Sequence, residues 1–332
     1  MSSIIRWGIL GCGRIARKFA SDLQYVKDAR LVAVGSRKQE VADAFALEFP
    51  VEHRHSSYEA LVSNPEVDAI YIATPHSHHH EHALLCIRNN KAVLCEKAFA
   101  INSKQAREMI ELARQKKVFL MEAMWSKFVP HLSKVQQMIN EGMIGEIQNL
   151  QVNFGFIPAE PIPQRIYDPA LGGGTMLDIG IYNVFLALLV LGKPDEIEAS
   201  MTAAHTGVDA QCAVLFKYKN GAIAQLLSSF TSSLATDADI SGNAGRIRLT
   251  TRFYEPSATI EYYPGRVESM QVIPVEKGPG WGYHYETSHV CECLRKGLSE
   301  SPVMTHADTI LMMEVLDEIR MKAGIRYPVD DN

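Results

Sequence analysis

The opening of this chain constrains its fold more than any other feature. A short apolar run, residues 4–10, feeds into Gly11-Cys12-Gly13-Arg14-Ile15-Ala16, and a helical repeat begins at once. Over residues 14–26, Ile15, Phe19 and Leu23 fall on one stripe, the spacing of an amphipathic helix. Strand, glycine turn and helix in that order start a unit whose chain crosses over a parallel sheet. The same grammar continues. Apolar runs at 31–34, 69–73, 92–95 and 118–121 alternate with helical stretches at 36–48, 77–90 and 103–116, the last with Ser103 as its expected N-cap. Strands covered on both faces read as continuously apolar, and these do. The first part is therefore expected to be an α/β Rossmann domain with a parallel sheet.

After about residue 124 the pattern changes to period two. Leu150, Val152, Phe154 and Phe156 alternate with Gln151, Asn153 and Gly155, as in a sheet with one buried face. Segments 213–218 and 222–228 flank Asn220-Gly221, a hairpin signal, and 260–263 and 267–273 flank the turn dipeptide Pro264-Gly265. Helices are expected over 130–140, 178–190, 284–295 and 307–322. The implied division is 1–124 and 125–332, the second part being α+β on a mostly antiparallel sheet. A length of 332 residues suits two domains of ~100–200 residues each.

Composition narrows the partners. The net charge of −5 offers no basic excess for nucleic acid or an anionic membrane. No run reads as long and apolar enough to span a bilayer, and the N-terminus lacks the basic-then-apolar layout of a secretory signal, so a cytoplasmic location is expected. Six cysteines are scattered without a CxxC pair and read as free thiols. Cys291 and Cys293, two apart on a helix, do not face each other and make no ligand pair.

The glycine turn suits a dinucleotide. Gly11 permits the tight turn, Gly13 lets the backbone approach a pyrophosphate, and Ala16 allows close packing of helix on strand. Cys12, Arg14 and Ile15 belong to the same cradle, where the helix presents unpaired N–H groups to the anion. The second strand ends in Gly35-Ser36-Arg37, and Ser36 lies twenty residues beyond Ala16. An NAD site carries an acidic residue there for the ribose hydroxyl. Here a hydroxyl and a guanidinium, followed by Lys38, suit a 2′-phosphate, which points to NADP(H).

Ligands of open parallel sheets lie outside the carboxyl ends of the strands, where Thr74-Pro75-His76 and Glu96-Lys97 fall. The Lys97 ammonium can stabilise a developing alkoxide, with Glu96 orienting it or meeting the nicotinamide end. A second constellation is Gly172-Gly173-Gly174 followed by Asp178 and Tyr182, four apart and so on one helix face. A phenol beside a cation can exchange a proton, and Asp178 can orient a hydroxyl. The same spacing also fits a helix whose polar face meets solvent. His76, His78, His79, His80 and His82 invite a metal reading, since His78 and His82 share a face. No second motif supplies a further ligand and hydride transfer needs no metal, so none is expected. His79 reads as structural or as lining the site.

Taken together, these motifs resemble the glucose–fructose oxidoreductase/inositol dehydrogenase (Gfo/Idh/MocA) family over nearly the whole chain. The match comprises the turn at 11–16, Thr74-Pro75 with His79, Glu96-Lys97, and the triple glycine followed by Asp178. The resemblance implies a Rossmann domain followed by a large open sheet, with Lys97 as the catalytic lysine. Ala98 stands where the family motif has proline. Tyr182 stands where many members carry a catalytic histidine. Tyrosine there, with Glu122-Ala123-Met124-Trp125 and Ser36-Arg37, resembles the dimeric dihydrodiol dehydrogenase and glucose–fructose oxidoreductase branch. That branch implies NADP, oxidation of trans-dihydrodiols or pentoses, proton exchange by Tyr182 with Lys97 and Asp178 assisting, and a homodimer. Trp125 and Phe154 then offer faces to a ring substrate, or are ordinary core aromatics. Alternatives are an NADPH-dependent keto-sugar (anhydrofructose-type) reductase and a non-catalytic NADP-binding sensor.

Overall fold

The computed structural model describes residues 4–265 and 269–331. Contacts divide the chain into two compact units, Met1–Trp125 with Gly278–Ile310, and Ser126–Lys277 with Leu311–Asn332. The first segment of the first unit ends at Trp125, and Gly278–Ile310 also belongs to that unit.

In the first unit, β1 (Ile5–Leu10), α1 (Arg14–Leu23), β2 (Ala29–Gly35), α2 (Gln39–Glu48), β3 (His53–His55) and α3 (Tyr58–Val62) are followed by β4 (Ala69–Ile72), α4 (His79–Arg88), β5 (Ala92–Glu96), α5 (Ser103–Lys116) and β6 (Leu120–Ala123). The six strands form one parallel sheet in the order β3-β2-β1-β4-β5-β6. Every residue of β4 and β5 is buried, as the continuous apolar runs require. Helix α1 is seated by Phe19, whose ring stacks on Tyr71 at 3.8 Å and meets Trp7 edge-on at 5.5 Å. The expected cap of α5 is corrected. Asn102 is extended and its side chain accepts from the Gln105 N–H, while Ser103 is already helical. Helix α2 begins at Gln39, leaving Ser36 and Arg37 outside it at the strand end.

The second unit contains α6 (Pro130–Asn140), β7 (Ile147–Gly155), α7 (Ile181–Leu191), β8 (Glu196–Ala203), β9 (Asp209–Lys217), β10 (Ile223–Ser229), β11 (Ala238–Gly242), β12 (Gly245–Thr250), β13 (Thr259–Pro264) and β14 (Gln271–Ile273). Its eight-stranded sheet runs β14-β13-β12-β11-β7-β10-β9-β8, with β7–β10 the parallel pair and the remaining neighbours antiparallel. Of the strand expected over 267–273, Gln271–Ile273 is present, and 267 and 268 lie outside the described residues. Alternation along β12 buries Ile247 and Leu249 and leaves Arg246 and Arg248 on the other face. Helix α7 packs on β7 and β10. The apolar stretch Pro169–Leu191 is long enough to cross a membrane, contrary to expectation, but 72% of its most apolar window is buried in the protein. The remaining helices are α8 (Tyr283–Arg295) in the first unit and α9 (His306–Ala323), which runs from one unit's residues into the other's.

Candidate active site

In the first unit the candidate residues gather at the carboxyl edge of the parallel sheet. Gly11 has φ +98°, and a Cβ there would lie 3.0 Å from Thr74 Cγ2 and 3.2 Å from the Ala73 carbonyl oxygen. Only glycine takes this turn without strain. Gly13 is the N-cap of α1, and no side chain bonds the first N–H groups of that helix. A Cβ at Gly13 would meet nothing nearer than Ala73 O at 3.8 Å. The space before the positive end of α1, bounded by Cys12, Arg14 and Ile15, therefore fits a diphosphate. Burial pushes the Cys12 thiol up to about 11, so it lines this turn as a neutral group.

At the end of β2, the Ser36 hydroxyl accepts from the Lys38 N–H at 3.3 Å. Arg37 and Tyr58 line one pocket of about 330 Å³ with Ser57, Thr74, Pro75 and His82. Burial raises the Tyr58 phenol while Arg37 pulls the other way. His82 Nδ1 meets the Thr74 hydroxyl at 3.0 Å, and burial pushes His82 down to about 4.

Strands β4 and β5 deliver the next group. The Tyr71 hydroxyl donates to buried Glu96. His79 is fully buried, its ring nitrogens 2.7 Å from Ala98 O and 2.8 Å from Thr74 O. Burial pushes it down to about 4, against the pull of both carbonyls for an N–H. His79 thus braces the two loops that carry Thr74-Pro75-His76 and Lys97, and His76 lies edge-on to it at 5.8 Å. Lys97 joins Ala98 through a cis peptide bond. Nearby Glu122 is pushed up to about 7 by burial. Trp125, 4% exposed, stacks on Tyr283 at 4.8 Å and 8° between planes.

The second unit holds the other constellation. Asp178 sits in a single π-helical turn, Met176–Gly180, that runs into α7, where Tyr182 is 6% exposed. Such turns recur at functional sites. Arg165 Nη1 lies 3.0 Å from Asp178 Oδ2. The Tyr182 ring stacks on Tyr254 at 4.6 Å, and Tyr254 stacks on Phe154 at 4.6 Å. The backbone under Tyr254 is fixed from α6 and the turn before it. His131 Nε2 donates to Phe253 O at 2.7 Å and the Ser126 hydroxyl to Tyr254 O at 2.9 Å. A buried phenol held by aromatic faces has few rotamers left, which suits a proton donor or acceptor.

Tyr58, Arg165 and Tyr254 escape sequence reasoning, because each meets its partner through tertiary folding and none lies in a periodic or motif position. Among the described residues, two groups bring three potential ligand atoms within 4.8 Å of one another: His78 with Glu81 and His82, and Glu52 with His53 and Glu66. Glu81, at i+3 from His78, is the potential third member that the histidine spacing did not reveal.

The chain is similar to known proteins over most of its length. The family model described as "Oxidoreductase family, NAD-binding Rossmann fold" (GFO_IDH_MocA) matches residues 5–124, and the GFO/IDH/MocA C-terminal domain matches 132–248. The trans-1,2-dihydrobenzene-1,2-diol dehydrogenase of Mus musculus is 36% identical over 98% of this chain and 99% of its own. The Homo sapiens enzyme of the same name is 34% identical with the same coverage. Among solved structures, KijD10, a 3-ketoreductase from Actinomadura kijaniata in complex with NADP and TDP-benzene, is 26% identical. It has a TM-score of 0.88 and coverage of 97% and 98%. An aldose-aldose oxidoreductase from Caulobacter crescentus shares the fold at 22% identity and TM-score 0.88, over 97% and 98% of the two chains.

Proposed function

Because this chain belongs to the Gfo/Idh/MocA oxidoreductase family, we propose that it is an NADP-dependent dehydrogenase that oxidises a CH–OH group of a cyclic vicinal diol or sugar, of the trans-dihydrodiol or pentose kind. The carrying observation is the shared edge of the first sheet. The uncapped start of α1, Arg37 at its pocket and Lys97 at the end of β5 all stand there. The α1 N-terminus takes the pyrophosphate, and Ser36 and Arg37 take the 2′-phosphate. Thr74, Pro75, His76 and Glu96 line the way to the nicotinamide, with His79 bracing them.

Bound NADP⁺ supplies the hydride acceptor. The chain's own residues handle the oxygen. Tyr182, as the phenolate, takes the substrate's hydroxyl proton and becomes the phenol, Lys97 offsets negative charge developing on a substrate oxygen, and Asp178 orients a hydroxyl. Phe154, with Tyr254, offers aromatic faces that suit a ring substrate, and Trp125, stacked on Tyr283, offers another.

The test is NADPH formation followed spectrophotometrically with trans-dihydrodiols and pentoses, for wild type and Lys97→Met. The variant should keep NADP binding and lose turnover. Unchanged turnover removes Lys97 from the mechanism, and a wild type that binds NADP but turns over nothing favours a sensor. The second reading, reduction of a keto-sugar, is favoured by the likeness to KijD10, a 3-ketoreductase. A higher kcat/KM for keto-sugar reduction than for diol oxidation would select it. We also propose that the chain works as a homodimer.

A further inference from the structure

We propose that Arg165 is a positioning residue for Asp178, and that the triple glycine exists to deliver it; this rests on the role given to Asp178 above. The glycines are not an anion cradle. The N–H of Gly172 donates to Pro169 O at 3.2 Å, that of Gly173 to Asp168 O at 2.9 Å, and that of Gly174 to Ile166 O at 2.8 Å. All three donors are thus spent on the preceding loop. A Cβ at Gly173 would stand 2.8 Å from Asp168 N, 2.9 Å from Ile166 O and 3.0 Å from Arg165 O, contacts closer than van der Waals packing permits. At Gly174, with φ +105°, it would stand 2.2 Å from Asp209 Oδ1. Only glycine lets the turn Gln164–Ile166 lie directly on the start of the helix that carries Asp178.

The far side of the turn is anchored as firmly. The Tyr327 hydroxyl donates to Gly173 O at 2.7 Å. Buried Asp209 accepts from the Thr175 hydroxyl at 2.5 Å and from the Met176 N–H at 2.7 Å. The result is a fixed guanidinium, Nη1 3.0 Å from Asp178 Oδ2. The carboxylate side chain is 14% exposed and the guanidinium 39%, so the contact is sheltered on the carboxylate side and partly screened on the arginine side. Holding one carboxylate oxygen fixes the direction of the other, which is what orienting a substrate hydroxyl requires.

The experiment compares Arg165→Met, Arg165→Lys, Gly173→Ala and Asp178→Asn with wild type in NADP-linked oxidation of trans-1,2-dihydrobenzene-1,2-diol. Arg165→Met should lower kcat at least tenfold with the Kd for NADP within twofold of wild type. Arg165→Lys should recover most of the loss, and Gly173→Ala should behave like Arg165→Met. If Arg165→Met keeps wild-type kcat while Asp178→Asn loses it, the inference is wrong and the proposed function stands. If Asp178→Asn is also fully active, the role of Asp178 falls first. A readout free of turnover is the ¹³C resonance of the Asp178 carboxyl, assigned by its absence in Asp178→Asn. It should move in Arg165→Met and return in Arg165→Lys; a resonance unmoved in Arg165→Met overturns the proposal.

Discussion

At the scale of single residues, cofactor choice is the sharpest question. Arg37 lies outside α2 and lines its pocket together with Tyr58, the first residue of α3. A charge-assisted contact to a 2′-phosphate contributes ~1.5–3 kcal/mol, roughly a 10- to 150-fold effect. Arg37→Gln should therefore lower the ratio of kcat/KM for NADP over NAD by that factor, and Tyr58→Phe by less, since Tyr58 acts only by orienting Arg37. An unchanged ratio in Arg37→Gln removes it from the phosphate site. For Tyr182→Phe, loss of the exchangeable proton should lower kcat by roughly 10²–10⁴ with NADP affinity retained. What the sequence offered here was local. Gly11, Gly13 and Ser36 sit in a motif whose spacing suggests a dinucleotide, and the expected roles of Lys97 and Tyr182 came with the family resemblance. Tyr58 and Arg165 went unnoticed because a tertiary neighbour from another element is written in no spacing.

At the scale of elements, the apolar runs revealed β1, β4 and β5 because burial on both faces leaves them almost wholly apolar, with Arg6 in β1 and Glu96 at the end of β5 the charged positions. Strand β3 was invisible, since His53-Arg54-His55 has neither apolar content nor alternation. Asn102 and Ser103 both suit an N-cap, and only the extended backbone of Asn102 decides between them. A pH prediction belongs to α6. His131 is 1% exposed, its Nε2 serves Phe253 O, and burial pushes it down from 6.5 to about 4. The folded state thus binds a proton less readily than the unfolded chain. The stability this confers is complete above pH ~6.5 and is lost as pH falls toward 4. Between pH 7 and pH 5 the loss is about 2 kcal/mol for such a histidine. His131→Gln keeps a donor for Phe253 O but does not titrate. Urea unfolding should show the stability gap between wild type and variant narrowing by about that amount on going from pH 7 to pH 5. A gap independent of pH would mean that His131 does not titrate against folding.

At the scale of the whole molecule, the eight-stranded sheet has one face covered by α7 and one to account for. Register decides which residues lie where. Leu226 is buried with Ala224 and Ser228, whereas Ile223, Gln225 and Leu227 point to the opposite face. Leu227 stands opposite Ala213, and Gln225 opposite Leu215, so an aliphatic strip crosses β9 and β10 on that side. It lines a shallow groove of about 590 Å³ flanked by Gln151, Asn153 and Glu198. Eight strands ~4.8 Å apart, each near seven residues at ~3.3 Å, give a face of roughly 900 Å². Stable protein interfaces bury about that area on each partner, ~800 Å². A mixed aliphatic and polar surface of this size suits a second copy of the same sheet, since a two-fold axis lets each strip meet its own image. Light scattering at micromolar concentration should therefore give twice the mass of the 36.9 kDa chain. Leu215→Arg puts one charge from each copy into the strip, and two unpaired cations in a desolvated interface cost more than the aliphatic contacts return. That variant should scatter as a monomer with its thermal unfolding little changed, because position 215 is half-exposed within its own chain. A wild type that is already monomeric, or a Leu215→Arg variant that keeps the doubled mass, would show that this face serves something other than self-association.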